Sequence, residues 1–284
     1  MTALRRIRPL AAIALCALCF GLPRLAPAQP ASPVSHLTDD LDLVVAARSP
    51  RALWRALIAH PLVKGLGALD PEASPETNEE LRDLYAVVEA FGPFLEEPAA
   101  FGMRARTTPR FVIVLGDSRG RGLAGLRRSL EQTLPDLTLG PGEKGERKFA
   151  IEGVGQVGAV PGALVFSTHP ILLRRLMRLK PADSKAATPA WQDLVQQAGA
   201  SPIRALAPNR RFFAQLADKA KGKPADFFGT LLFRSFLDDL VHARSARAWG
   251  DLGAKTALTV EMKTEGDAPG GWRDPGADAP LVPA

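Results

Sequence analysis

Leu164-Val165-Phe166-Ser167-Thr168-His169-Pro170 contains the repeating plan of this chain. An apolar run suited to a buried strand reaches two hydroxyl residues, and a proline then opens a Leu-rich stretch at helical spacing. The same order recurs upstream, where Val44-Val45-Ala46-Ala47 leads through Arg48-Ser49 to Pro50. It recurs where Val112-Ile113-Val114-Leu115 meets Gly116-Asp117-Ser118, and more faintly where Ile203–Ala207 meets Pro208-Asn209. The spacing between copies is irregular, so the chain is no solenoid. Strand–turn–helix is also common in unrelated folds. Read together, the copies predict an α+β fold, a mostly antiparallel sheet with helices packed on one face, built from strand–cap–helix units.

Outward from these units the other elements follow. Short strands are expected at Ala99–Arg106, Arg110–Leu115, Arg147–Ile151 and Gly155–Val160, with Gly and Pro in the intervening turns. Helices are expected from Pro50 to Leu66, after Ser74-Pro75, from Leu123 to Leu134, after Thr188-Pro189, from Asn209 through Lys219, and over Phe227–Val241. Ala243–Trp249 and Lys255–Thr264 form a hairpin. In its second strand Leu258, Val260 and Met262 alternate with Thr259, Glu261 and Lys263, as a half-buried strand does. Residues 41–264 are thus one α+β body, or two subdomains divided near 140–147. The segment 29–40 reads as a flexible lead-in, and the Gly-, Asp- and Pro-rich stretch 265–284 as a disordered tail.

Residues 1–28 have the order of a secretory signal. Arg5, Arg6 and Arg8 precede an apolar stretch from Leu10 to Leu22, and Ala26 and Ala28 supply small residues at −3 and −1. Cleavage is expected between Ala28 and Gln29, giving an exported protein, periplasmic or secreted. The alternative is retention of the segment as an anchor. The apolar stretch is short for a span, which takes about 20 residues. The arginine pair lacks the context of a twin-arginine signal, and Leu15 and Leu18 before the two cysteines do not suit a lipoprotein site.

Charge narrows the partners. Of 284 residues, 46% are hydrophobic and 23% charged, which suits a folded body. The pI near 9.6 rests largely on the leader. Arg5, Arg6, Arg8 and Arg24 stand there with no acid, leaving 32 basic residues against 30 acids, a net charge near +2. Nothing in that balance calls for nucleic acid. Cys16 and Cys19 both lie in the leader, so the body has no thiol for disulfide, metal or catalysis.

The leader, the opening strand with Ser49-Pro50-Arg51-Ala52-Leu53-Trp54, and Leu164-Val165-Phe166-Ser167-Thr168 before a Leu-rich helix resemble a group of exported bacterial proteins. These belong to planctomycete-type and related GC-rich genomes and carry a domain of unknown function. The resemblance covers about Asp40 to Thr264. It implies no activity, and it implies that this chain is a short or truncated member of a longer group.

One catalytic motif stands out. Gly116-Asp117-Ser118-Arg119-Gly120 fits G-x-S-x-G between an apolar strand and a helix, where a nucleophile elbow belongs. It also resembles the Gly-Asp-Ser block of lipase-like serine hydrolases, whose closing Asp-x-x-His block is matched by Asp239-Leu240-Val241-His242. The departures are several: the block lies far from the mature start, the intervening Gly-x-Asn-Asp block is absent, and no His-Gly motif precedes the elbow. The competing role for Ser118 is to cap the following helix.

His36, His60, His169 and His242 are scattered, without metal-ligand spacing. Gly153-Val154-Gly155-Gln156-Val157-Gly158 leads into a strand and not into the helix a pyrophosphate needs. Two basic clusters, Arg119, Arg121, Arg127, Arg128 and Arg174, Arg175, Arg178, Lys180, suit solvated helix faces or contact with anionic envelope polymer or headgroups. Trp54, Trp191 and Trp249 suit the core or its edge. No catalytic, cofactor-binding or metal residues are assigned, and no cofactor is expected. The function expected is an exported non-catalytic binding or structural module of the periplasm or envelope. Its alternatives are a secreted serine hydrolase using Ser118 with His242 or His169 as base, and an interaction subunit of an envelope assembly.

Overall fold

The computed structural model describes residues 32–59, 88–106, 108–140, 147–214, 243–251 and 257–264. The expected leader with its cleavage site, the helix over 227–241 and the tail lie outside the described residues, and of the helix after Ser74-Pro75 only the end is described, where residues 88–91 are helical.

Among the described residues nine strands form one antiparallel sheet. They are β1 (Leu43–Ala47), β2 (Ala99–Arg104), β3 (Arg110–Gly116), β4 (Lys148–Ile151), β5 (Gly155–Val160), β6 (Ala163–Ser167), β7 (Ile203–Ala207), β8 (Ala243–Asp251) and β9 (Ala257–Thr264). Their order across the sheet is β4-β5-β6-β3-β2-β1-β7-β8-β9. The α+β class and the antiparallel pairing are those the sequence predicts. The division near 140–147 is not a break in the sheet: β3, before it, pairs with β6, after it, from Val112↔Ser167 to Gly116↔Ala163.

The helices occupy both faces, not one. On one face α2 (Gly122–Thr133) lays Leu126 and Leu130 against Val157, Leu164 and Phe166, and Leu53 and Trp54 of α1 (Pro50–Ala59) join the same layer. On the other, α3 (Pro170–Leu176) and α4 (Pro189–Ala198) place Leu172, Leu173, Leu176, Trp191 and Leu194 over Ala163, Val165, Val112, Val114 and Leu206. The reason is in β6, which is buried throughout. Alternate residues of a strand point to opposite faces, so an unbroken apolar strand needs cover on both.

The expected flexible lead-in needs a correction over residues 32–40. Pro33–His36 is a 3₁₀ turn, and Val34, Leu37 and, just beyond, Leu41 are fully buried in the second layer. Gly102 makes room for them, since a Cβ there would stand 2.6 Å from Leu41 Cδ1. The apolar residues sit three and four apart, a pattern hidden by the prolines and serines around them.

The register contains an internal repeat. β1 and β7 pair about Val45↔Ala205, with Val44↔Leu206 and Ala46↔Arg204 on either side. Each strand leads through a cap, Ser49-Pro50 or Pro208-Asn209, into a helix, which at the second site covers residues 210–214. Each then continues outward as a hairpin, β2–β3 or β8–β9, with connecting segments 105–109 and 252–256 of equal length. Val45 stands beside Phe101 and Phe101 beside Ile113. Ala205 stands beside Ala248 and Ala248 beside Val260. β1–β2–β3 and β7–β8–β9 are therefore equivalent units related by a two-fold axis between β1 and β7.

Candidate functional site

Two polar clusters lie at opposite ends of the central strands. The first surrounds the G-x-S-x-G turn at the end of β3. The Asp117 carboxylate accepts hydrogen bonds from the amides of Arg121 (2.8 Å) and Gly122 (2.7 Å), where α2 begins with free N–H groups. Gly120 and Gly122 have φ of 65° and 62°, which lets the chain turn tightly enough for that contact. Asp117 is the cap, and the capping role expected of Ser118 is corrected accordingly. Ser118 is exposed, and its backbone amide donates to Oε2 of the buried Glu97 (2.5 Å). The glutamate's other oxygen lies 3.8 Å from Arg121. Arg121 also donates to the carbonyl of Pro93 and lies over the Phe94 ring, while Arg51 and Arg119 both bond Glu96.

His169 is not near Ser118. It follows β6, on the side where Ser167 pairs with Val112, whereas Ser118 follows Gly116 at the other end of the same pairing. The strand between those two rungs alone spans about 13 Å at about 3.3 Å per residue. Burial, and then the charge of Arg110, lowers the His169 pKa below its ordinary value. His60 and His242 lie outside the described residues.

The second cluster was not foreseen. Lys185 is buried, and its ammonium donates to the carbonyls of Asp39 (2.8 Å) and Leu41 (3.2 Å). Burial lowers its pKa, opposed by Asp39 and Asp42. Asp42, also buried, accepts from the Ala105 amide (2.7 Å) and from the side-chain amide of Asn209 (2.9 Å). Asp42 precedes β1 and Asn209 follows β7, so this bond ties the two repeat units together. Asp40 is held by Arg104 and by Arg175 (2.6 Å). The acid run Asp39-Asp40-Leu41-Asp42 was the signal available, but its partners come from distant parts of the chain.

The remaining predicted features have structural positions. Arg127 bonds Glu131 (2.9 Å) and the Gly140 carbonyl (3.1 Å), and Arg175 bonds Asp40, so both basic clusters are partly tied into the fold. Gly155 and Gly158 sit in β5, where a Cβ would meet the Ser167 carbonyl at 2.5 Å or Met177 Sδ at 2.8 Å. Close packing accounts for those glycines. Trp54 and Trp191 are buried and Trp249 packs at the edge of the second layer. Among the described residues no three of His, Cys, Asp or Glu gather as metal ligands, and no helix is long and apolar enough to cross a membrane.

Two shallow clefts are present among the described residues. One, of about 380 Å³, is lined by Asp39, Arg175, Arg178, Leu179, Lys180 and Asp183. The other, of about 180 Å³, lies between α4 and the β8–β9 hairpin, beside Asp193, Arg247 and Glu261. Ligand sites are mostly apolar with a few convergent polar groups, and the larger cleft inverts that balance.

No protein-family model matches the chain, and no curated protein matches it either. Among solved structures it is similar to TP0453 in crystal form I, at 12% identity and a TM-score of 0.41, over 84% of this chain and 81% of that one. A likeness at that level supports no functional argument.

Proposed function

We propose that the chain is an exported, non-catalytic binding or structural module of the bacterial envelope, of the kind carried by the planctomycete-type proteins it resembles. The observation that carries the reading is the use made of the G-x-S-x-G turn. Asp117 caps α2 through two amides, the Ser118 amide is bound to buried Glu97, and the described histidine considered as base is at the far end of the sheet. A nucleophile needs a base within about 3 Å, or one water away. The polar residues at the strand ends thus hold the fold. Export is supported by the basic, apolar and small-residue order of residues 1–28.

The test has two arms. The full chain, expressed in an export-competent bacterium, is fractionated and its N-terminus determined. A periplasmic or secreted product beginning at Gln29 is expected, and a cytosolic product retaining Met1 refutes export. The same product is treated with a fluorophosphonate probe. No labelling is expected, and labelling abolished by Ser118→Ala refutes the non-catalytic reading.

A further inference from the structure

The two repeat units differ at their outer strands. In the first, the free side of β3 is occupied by β6, which pairs with it antiparallel from Val112 to Gly116. The equivalent residues of the second unit are Thr259 to Lys263 of β9, and among the described residues no strand pairs with its outer side. Ile113 of β3 packs into the core layer, whereas its equivalent Val260 is 43% exposed and the neighbouring Leu258 45%. An open strand of eight residues with an apolar face is a template for another strand.

We infer that β9 is an interface strand for a second copy of this chain, pairing antiparallel with its own counterpart about Val260. Three features select this occupant. The molecule already makes such a contact internally, since β1 and β7 are equivalent strands joined antiparallel about a two-fold axis. The same operation on β9 keeps both copies' apolar residues on one face, with Val260 against Val260, Leu258 against Met262 and Thr259 against Glu261. Charge then excludes a neighbouring register. A shift that centres the axis on Glu261 sets two carboxylates opposite each other, which destabilises a sheet. Centring on Val260 instead sets Lys263 opposite Ala257, in the row that ends at Asp251 of the same copy. The result is a continuous sheet across two chains, whatever its location in the cell.

The experiment is light scattering of the purified chain, joined to cysteine cross-linking. The wild type is expected at twice the chain mass, and Val260→Lys, which apposes two ammonium groups, at the single mass with an unchanged circular dichroism spectrum. In a Cys16→Ser/Cys19→Ser background, Val260→Cys should cross-link on mild oxidation. Directly opposed residues stand about 4.5–5.5 Å apart, within disulfide range. Glu261→Cys should not, because its counterpart is then a diagonal neighbour about 7–8 Å away. Should Val260→Lys fail to fold, the cysteine pair decides. A single mass at every concentration without a Val260→Cys cross-link overturns the inference. Equal cross-linking at both positions does so too, as does a different protein co-purifying on an undoubled chain.

Discussion

Across the pairing of β1 with β7, Ile113, Phe101 and Val45 on one side of the two-fold axis face Ala205, Ala248 and Val260 on the other. The backbone plan is the same on both sides, with the same strand order and hairpin connections of equal length. The filling is not. The first row continues into Phe166, Val157 and Phe149 and is covered by α1 and α2, whereas the second is built of small residues and ends in an exposed valine. Pairing and register can therefore repeat while burial does not. Since apolar burial contributes roughly 25 cal/mol per Å², the first unit carries the greater share of the stability.

The sharpest way to break this comparison is to empty the first row. Phe101→Ala is expected to cost about 3–5 kcal/mol in urea unfolding, because Phe101 is 1% exposed and leaves a cavity. A loss under about 1 kcal/mol would refute the asymmetry. Next comes the junction between the units. Lys185→Ala leaves two carbonyls at the buried junction without their donor, and should cost about 2 kcal/mol. Within the first unit, Asp117→Ala is expected to cost about 1–2 kcal/mol by uncapping α2, while Ser118→Ala stays within about 0.5 kcal/mol.

A smaller effect follows pH. Burial lowers the His36 pKa below 6.5, so the unfolded chain binds more protons than the native one just below that pH. Stability should rise with pH up to about 6.5 and fall as the solution is acidified through that value; His36→Gln should flatten the part of the slope it causes. The smallest change belongs to the second unit. Val260→Ala, in dilute protein, should shift the unfolding midpoint by less than the equivalent Ile113→Ala, by about 0.5 kcal/mol at most.

Much of the fold was legible because the strands are punctuated. Gly, Pro and hydroxyl residues bracket β5, β6 and β7 closely enough to mark them as observed, and Thr188-Pro189 and His169-Pro170 open α4 and α3 where expected. The face each helix takes was not legible from the local pattern, although the unbroken apolar run Ala163–Phe166 already demanded cover on both sides. Val34, Leu37 and Leu41 escaped notice because their spacing is a turn's and their surroundings are those of a linker. At the candidate site, Asp117 and Ser118 are adjacent, and only geometry tells which of them meets the α2 amides. The Lys185 cluster joins residues more than 140 positions apart, and no local signal encodes such a meeting.

The first strand among the described residues lies in the interior of the sheet. β1 gains its partners only when the chain has returned twice, first with β2 and much later with β7. Closing loops of that length is entropically costly and slows folding. A chain emerging from its N-terminus therefore holds β1 half-paired until residues 203–207 arrive. A nascent fragment stopping short of them leaves the β1 edge from Val44 to Ala47 without its second partner.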